Sequence, residues 1–210
     1  MCASQAPGNS AGDAAHATPR TAKAELRDRL LAARRDRPPA ERAQAARSVA
    51  AHALAAPEVR RATTVAAYVG VGAEVGTAAL LAGLRAAGVR VLLPLLRPDA
   101  DLDWAVLTRE EDLRPASRGL REPEGPPLGL EAIATADVVL VPGLAVDDAG
   151  RRLGRGGGSY DRALARVPVG TPVWVLLHDD EVGVPVPVEP HDRPVTGALT
   201  PSGLVRLPRR

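Results

Sequence analysis

The chain has 210 residues, the size of one compact domain or of two small lobes that share a core. Charged residues make up 25% of it and hydrophobic residues 45%, which excludes a disordered chain and a membrane bundle. The formal net charge of +2 is too small to indicate a nucleic-acid partner.

The scarcest residues set further limits. Cys2 is the single cysteine, so a secreted scaffold held by disulfides is excluded. Residues 1–20 lack the apolar run of a signal peptide, and no later stretch reaches the 18 or so apolar residues of a membrane span. We therefore expect a cytoplasmic protein with a disordered tail over 1–20 and one domain over 21–210. Lys23 is the only lysine in the chain.

Hydrophobic periodicity predicts alternating helices and strands after the tail. Two antiparallel helices are expected first, over 21–36 and 40–55. In chain order there follow a strand over 64–71, a helix over 76–88, strands over 89–96 and 101–108, a loop over 121–129, a strand over 136–143, a helix over 158–167 and a strand over 171–177. This order indicates an α/β fold in which helices sandwich a mostly parallel sheet, a Rossmann-like three-layer arrangement with an N-terminal helical pair.

In open α/β sheets, ligands bind at the carboxyl ends of the strands, so the loops after 64–71 and 136–143 matter most. The second loop contains five glycines among arginines, directly before a predicted helix. Glycines let backbone N–H groups converge on an anion, the helix N-terminus adds positive charge, and arginine binds phosphate with two hydrogen bonds. The loop therefore predicts a site for a polyanion, and a nucleoside triphosphate is the natural candidate. The alternative is a flexible turn with solvated arginines.

Asp161 begins the helix after this loop. It could hold Mg²⁺, which binds one or two carboxylates together with phosphate oxygens, or simply compensate the helix terminus. A zinc site is not indicated, because the four histidines show no paired ligand spacing and the single cysteine, Cys2, lies in the tail. These histidines are His16, His52, His178 and His191.

Several segments resemble one known family in consistent order. The VPGxxxD segment from Val141 to Asp147 and the RLGxGxGxYDR-like segment from Arg152 to Arg162 resemble the signature of the 5-formyltetrahydrofolate cyclo-ligases, also called methenyltetrahydrofolate synthetases. Weaker matches are a KxxLR-like element at Lys23, a strand ending at Pro94, an REP turn at Glu122 and a YxxxxxEVxT element from Tyr68 to Thr77. The resemblance covers roughly residues 23–195.

The resemblance implies a ligase that uses ATP and Mg²⁺ to convert 5-formyltetrahydrofolate into 5,10-methenyltetrahydrofolate. It implies catalytic roles for Arg155 and Tyr160, and Mg²⁺ ligation by Asp161 and Asp192. The residues that it implies for ATP are Lys23, Ala24, Glu25, Leu26, Arg27, Arg152, Leu153, Gly154, Arg155, Gly156, Gly157, Gly158, Ser159 and Tyr160. Those that it implies for the folate substrate are Val69, Glu74, Arg155 and Gly158.

One position departs from the commonest family pattern. Many members carry two consecutive tyrosines before the aspartate, whereas Ser159 precedes Tyr160 here. The chain contains two tryptophans, two tyrosines and no phenylalanine. A bound pterin would therefore need Tyr68, Tyr160 or Trp104 in its pocket, or aliphatic walls such as Val69.

Two other classes of function remain open. One is a non-catalytic relative that holds folate or a nucleotide, and the presence of Lys23, Arg155 and Asp161 together argues against it. The other is RNA binding through the arginines, which the small net charge and the four aromatic residues disfavour. We therefore expect folate and ATP as partners, and neither a nucleic acid nor a membrane.

Overall fold

The computed structural model describes residues 19–189 and 192–208. The tail was predicted over 1–20. Of it, residues 1–18, which include Cys2 and His16, lie outside the described residues, as does His191, whereas Pro19 and Arg20 begin a helix. The helices are α1 (Pro19–Asp36), α2 (Pro39–Ala55), α3 (Pro57–Arg61), α4 (Ala78–Ala86) and α5 (Ser159–Leu164). The strands are β1 (Thr64–Ala66), β2 (Arg90–Leu96), β3 (Leu102–Val106), β4 (Leu113–Pro115), β5 (Arg121–Pro123), β6 (Val138–Pro142), β7 (Ala145–Val146), β8 (Arg152–Leu153), β9 (Val173–Leu176), β10 (Gly197–Thr200) and β11 (Gly203–Arg206). Short 3₁₀ turns lie at Glu110–Asp112, Ser117–Gly119, Leu130–Thr135 and Asp179–Glu181.

Within the described ranges, seven strands form one sheet in the order β11-β10-β9-β6-β1-β2-β3. The pairs β10–β9, β9–β6, β6–β1 and β1–β2 are parallel, while β3 and β11 pair antiparallel at the two edges. The predicted mostly parallel sheet is confirmed. β1 is central, because Val65 pairs with both Val91 and Val138.

Side chains alternate between two apolar layers along the buried strands. On β1, Val65 belongs to the layer formed with α2, α3 and α4, whereas Ala66 belongs to the opposite layer. The opposite layer contains Ala163 of α5 and Ile133 of the 3₁₀ turn. A strand covered on both faces is apolar at successive positions, which explains the continuous apolar runs in the sequence. The three-layer arrangement is confirmed.

The two N-terminal helices are present but belong to different parts of the core. Leu26 of α1 packs with Leu144, Leu153 and Val186, in a small cluster around the β7–β8 hairpin. α2 packs instead against α4 and β10. Helix α1 is thereby placed beside the loop that follows β6 rather than on the sheet face.

A buried ion pair fixes this placement of α1. Arg34 donates from Nε and Nη2 to the two carboxylate oxygens of Glu181, each at 2.7 Å, and Nη2 also donates to the carbonyl oxygen of Gly143 at 2.7 Å. Both side chains are almost fully buried. Because Gly143 directly follows β6, this contact ties α1 to the carboxyl edge of the sheet.

Some predicted boundaries were wrong. The strand predicted over 64–71 ends at Ala66, because the chain turns away through Gly70, whose amide donates to Thr77 Oγ1 at 2.9 Å. The predicted loop over 121–129 begins with β5, which pairs with β4 in a separate hairpin. Within the described residues no helix combines the length and the apolar character needed to cross a membrane.

Candidate active site

A cleft of about 420 Å³ lies at the carboxyl ends of β6, β1 and β2. Pro142 and Gly143 line it from the end of β6, Tyr68 and Val69 from the segment after β1, and Leu96 from β2. These three strands are neighbours in the sheet, so their ends form one continuous floor. The cleft lies at the carboxyl edge of the sheet, where the sequence predicted a ligand site.

The glycine-rich loop forms one wall of this cleft, between β8 and α5. Gly156 and Gly158 have φ angles of 98° and 67°, which side-chain-bearing residues rarely adopt. Helix α1 holds the loop, because Arg27 donates from Nε to the carbonyl oxygen of Gly154 at 2.8 Å. A Cβ at Gly156 would lie 3.4 Å from the Arg27 guanidinium carbon, an ordinary van der Waals distance, so the positive φ rather than a lack of space favours glycine here.

Arg152, which lies at the start of the glycine-rich loop, contacts residues on both sides of it. Its Nη1 donates to the carbonyl oxygen of Pro142 at 3.0 Å, and its Nη2 donates to Asp161 Oδ1 at 3.1 Å. The guanidinium lies 5.8 Å from the centre of the Tyr160 ring, within the range of a cation–π contact. Arg152 is buried. Its two hydrogen bonds join the end of β6 to the first turn of α5.

Lys23 lies buried in the same cleft and pairs with two carboxylates. Its Nζ lies 2.8 Å from Glu189 Oε2 and 2.8 Å from both oxygens of Asp192. The backbone amide of Arg193 donates to Asp161 Oδ1 at 3.4 Å, so the two predicted metal ligands are linked through the residue next to Asp192. The fold therefore brings the only lysine together with the acidic groups of the predicted phosphate site.

Glu74 faces the glycine-rich loop from the segment after β1. Its Oε2 accepts a hydrogen bond from the Val71 amide at 3.0 Å, and its Oε1 lies 3.5 Å from Nη1 of Arg155. Burial raises the pKa of Glu74, because the charged form loses solvation. Burial and the negative charge of Glu74 raise the pKa of Tyr160, so its hydroxyl stays protonated at neutral pH and can donate a hydrogen bond.

The comparisons with known proteins agree on one family. The model of the 5-formyltetrahydrofolate cyclo-ligase family matches residues 19–201. A 5-formyltetrahydrofolate cyclo-ligase of Mycolicibacterium smegmatis is 44% identical over 191 residues, covering 88% of this chain and 97% of that protein. The chain belongs to the 5-formyltetrahydrofolate cyclo-ligase family. The resemblance inferred from the glycine-rich signature is confirmed.

Two further relatives of this cyclo-ligase family extend the agreement. A 5-formyltetrahydrofolate cyclo-ligase of Escherichia coli is 31% identical over 177 residues, covering 80% of this chain and 94% of that protein. The solved structure of Aquifex aeolicus 5,10-methenyltetrahydrofolate synthetase superposes with a TM-score of 0.76 at 28% identity, covering 88% of this chain and 92% of that one. This chain therefore has the same fold as the solved synthetase, which confirms the α/β fold expected from the sequence.

The cleft gathers most of the residues that the cyclo-ligase resemblance implied. Lining it are Lys23, Arg27, Val69, Glu74, Arg152, Leu153, Gly154, Arg155, Gly156, Gly157, Gly158, Ser159, Tyr160, Asp161 and Asp192. Ala24, Glu25 and Leu26 do not line it, since the first two are exposed and Leu26 packs into the core beneath α1. Tyr68 and Tyr160 face the cleft, whereas Trp104 is buried in the core.

Other cleft residues were not singled out as site residues from the sequence. Glu189 pairs with Lys23, and Arg118, Leu120 and Arg121 reach the cleft from the β4–β5 region. Arg121 is the first residue of the REP turn, but that turn was not taken as part of a site. Arg118, Leu120 and Arg121 reach the cleft because the β4–β5 hairpin packs beside β2.

The acidic residues of the cleft can supply some, but not all, of the ligands that Mg²⁺ needs. Among the described residues, no group of three His, Cys, Asp or Glu side chains is arranged to hold a metal ion. Asp161 and Asp192 supply hard oxygen donors, but they are bonded to Arg152 and Lys23 respectively. Mg²⁺ ordinarily combines one or two carboxylates with phosphate oxygens, so this pair fits it when a nucleotide supplies the remaining ligands.

Replacing Glu74 by glutamine is expected to stabilise the protein at neutral pH. The folded-state pKa of Glu74 is raised above its ordinary value of 4.5, so the ionised carboxylate opposes folding as the pH rises through the folded-state pKa. Glutamine keeps the acceptor for the Val71 amide and removes the charge. We expect a gain of about 0.5–2 kcal/mol in the free energy of unfolding at pH 7, which disappears below pH 4.5.

Urea denaturation of both proteins from pH 4 to pH 8 measures this difference. Glu111→Gln is the matched control, because Glu111 is exposed and its carboxylate has no ion pair within the described residues. A Glu74→Gln variant less stable than the wild type at pH 7 would contradict the prediction.

Proposed function

We propose that the protein converts 5-formyltetrahydrofolate into 5,10-methenyltetrahydrofolate, with ATP and Mg²⁺, releasing ADP and phosphate. The contact between Arg155 and Glu74, at 3.5 Å, is the observation that carries this proposal. Arg155 belongs to the loop suited to phosphates and Glu74 to the wall suited to the pterin. Ligands bound on these two surfaces would meet at the contact, as a phosphoryl transfer between them requires.

The reaction has a simple physical logic. The formyl oxygen is a poor leaving group, and ring closure must expel it. The formyl oxygen attacks the γ-phosphorus of ATP, the bond from phosphorus to the bridging oxygen breaks, and ADP leaves. The second folate nitrogen then attacks the formyl carbon, the carbon–oxygen bond breaks, and phosphate departs as that nitrogen loses its proton.

The residues of the cleft have distinct tasks in this proposal. Lys23 and Arg27 lie one helical turn apart and present two cations to the nucleotide phosphates. The glycine backbone from Gly154 to Gly158 binds the same phosphates, and Arg155 compensates the charge that develops on the transferred group. The Tyr160 hydroxyl donates a hydrogen bond and does not act as a base, since its pKa is raised.

The two carboxylates and the folate wall complete the assignment. Asp161 and Asp192 would hold Mg²⁺, which supplies charge neutralisation on the phosphates when it is bound. For Asp192 this requires Lys23 to shift from the carboxylate to a phosphate. Glu74 and Val69 would contact the pterin, with Glu74 accepting hydrogen bonds from its donor-rich edge, and Tyr68 provides the aromatic wall.

Replacing Glu74 by alanine is expected to raise the KM for 5-formyltetrahydrofolate by about tenfold, with a smaller change in kcat. The carboxylate is assigned to binding rather than to the transferred phosphoryl group, and a lost charged hydrogen bond costs about 1.5–3 kcal/mol. Steady-state kinetics with varied folate measures both constants. A variant whose KM is unchanged and whose kcat collapses would move Glu74 from folate binding to catalysis.

A non-catalytic folate- or nucleotide-binding relative is the alternative. The joint presence of Lys23, Arg155 and Asp161 in one cleft supports catalysis instead, because sequestration alone does not require all three. The test is to mix the protein with ATP, Mg²⁺ and 5-formyltetrahydrofolate and to follow the methenyl product by absorbance. Formation of the product only when ATP is present supports the enzyme, whereas folate binding without ATP consumption supports the alternative. A cytoplasmic location and the lack of a nucleic-acid partner remain predictions.

A further inference from the structure

The residues assigned to the folate belong to one segment, 67–77, which connects β1 to α4 and is called the folate segment below. Tyr68, Val69 and Glu74 line the cleft from it. The segment, all of which the structure describes, contains neither a helix nor a strand. The positions of these side chains therefore depend on contacts that the segment makes with itself and with its neighbours.

The folate segment is closed by a side chain at its end. The Gly70 amide donates a hydrogen bond to Thr77 Oγ1 at 2.9 Å. The backbone also approaches itself closely, since a Cβ at position 70 would lie 2.6 Å from the carbonyl oxygen of Val75, too close for any side chain. Val75 is buried in the core and Thr77 is buried as well. The segment is thus a compact loop with the Thr77 hydroxyl at its closure.

Glu74 is oriented inside this closed loop. Its amide donates to the carbonyl oxygen of Val71 at 3.2 Å, and the Val71 amide donates to Glu74 Oε2 at 3.0 Å. The turn that holds the carboxylate therefore begins directly after Gly70. Because the Thr77 hydroxyl fixes Gly70, it also fixes the turn and the direction in which Glu74 Oε1 faces Arg155.

The Thr77 hydroxyl is not used in the way that is usual at its position. Thr77 is the N-cap residue of α4, where a threonine side chain commonly accepts a hydrogen bond from an amide of the first helical turn. Among the described residues of α4, no amide donates such a hydrogen bond to it. The hydroxyl instead bonds Gly70, seven positions earlier in the chain. It therefore orders the loop rather than the helix.

We propose that Thr77 is a positioning residue for folate binding, whose hydroxyl closes the folate segment and holds Glu74 in place for the pterin. This inference rests on the proposed function. Thr77 does not line the cleft, so it acts through Glu74 and not by contact with the substrate. Without the hydroxyl, the Gly70 amide must find water as its partner and the turn at Glu74 loses its anchor. A folate would then have to order the loop as it binds, which weakens its affinity.

The test replaces Thr77 by valine, which keeps the branched shape and removes the hydroxyl. The KM for 5-formyltetrahydrofolate is expected to rise about fivefold, while kcat and the KM for ATP stay within about twofold of the wild type. Thr77→Ser keeps the hydroxyl and is expected to restore the low KM. Thr196→Val is the matched control, because Thr196 Oγ1 also accepts an amide hydrogen bond, from Val173 at 2.9 Å, but lies outside the cleft.

A double variant distinguishes positioning through Glu74 from a general loss of order. If Thr77 acts through Glu74, Thr77→Val/Glu74→Ala is expected to have a KM for folate within about twofold of that of Glu74→Ala alone. The inference is overturned if Thr77→Val multiplies this KM by the same factor in both backgrounds. It is also overturned if Thr77→Val leaves the KM for folate unchanged, or raises the KM for ATP equally.

Calorimetric titration with 5-formyltetrahydrofolate, without ATP, separates failure of this inference from failure of the proposed function. A wild-type protein that binds the folate but forms no methenyl product would contradict the proposed function alone. The inference would then be supported by an affinity about fivefold lower for Thr77→Val than for the wild type and Thr77→Ser. Equal affinity for wild type and Thr77→Val, or no binding by the wild type, would overturn it.

Discussion

Replacing Arg155 by alanine is expected to lower kcat roughly 10³-fold while the protein stays folded. Removing one group that stabilises charge on a transferred phosphoryl group has an effect of about this size. The side chain is half exposed and its one described ion pair, with Glu74, is long at 3.5 Å, so little folding energy depends on it. The loss is therefore expected in the chemical step and not in stability.

Steady-state kinetics and urea denaturation of the same preparation separate these effects. Arg151→Ala is the matched control, because Arg151 precedes the glycine-rich loop and pairs with Asp147 outside the cleft. Arg155→Lys is expected to recover only part of the activity, since lysine keeps the charge but loses the paired donor geometry. If Arg155→Ala kept wild-type kcat, the assignment of Arg155 to the transferred phosphoryl group would be wrong.

Replacing Asp161 by asparagine is expected to lower kcat by roughly 10²-fold or more and to raise the Mg²⁺ concentration at which activity is half-maximal. Asparagine is preferable to alanine for a structural reason. Asp161 accepts hydrogen bonds from Arg152 and from the Arg193 amide, and the amide oxygen of asparagine can still accept them. Alanine would leave the buried guanidinium with fewer partners and would confuse a folding defect with a metal defect.

A titration of activity against Mg²⁺ at saturating ATP measures the second effect. Asp148→Ala provides the control, because Asp148 is an exposed aspartate of the same connection between β6 and α5 and does not line the cleft. We expect the asparagine variant to unfold within about 1 kcal/mol of the wild type. An unchanged Mg²⁺ dependence would remove Asp161 from the metal site.

The sequence predicted those parts of the site that are continuous in the chain. The glycine-rich loop was recognisable because its glycines are concentrated between a buried strand and a helix, and Glu74 because it belongs to the YxxxxxEVxT element of the family resemblance. The residues from Lys23 to Arg27 are consecutive in the sequence, but successive side chains of a helix point in directions that differ by about 100°. Lys23 and Arg27 therefore share the cleft face, while the three residues between them point elsewhere.

The contacts made across the fold could not be predicted in the same way. Glu189 lies 166 positions from Lys23, and nothing near either residue marks the pairing. Strand β10, the edge strand β11 and the β4–β5 hairpin are short, and strands of three or four residues show too few alternations to be distinguished from loops. Arg118 and Arg121 reach the cleft only because this hairpin is bonded to β2.

Transfer of the formyl oxygen to phosphate is the most direct test of the central claim that this cleft joins ATP to the formyl group of a folate. The protein would be given ATP, Mg²⁺ and 5-formyltetrahydrofolate whose formyl oxygen is ¹⁸O, and the released phosphate would be analysed by mass spectrometry. We expect one ¹⁸O atom in each phosphate released, with one methenyl product formed per ADP. Unlabelled phosphate, or methenyl product formed without ATP consumption, would contradict it.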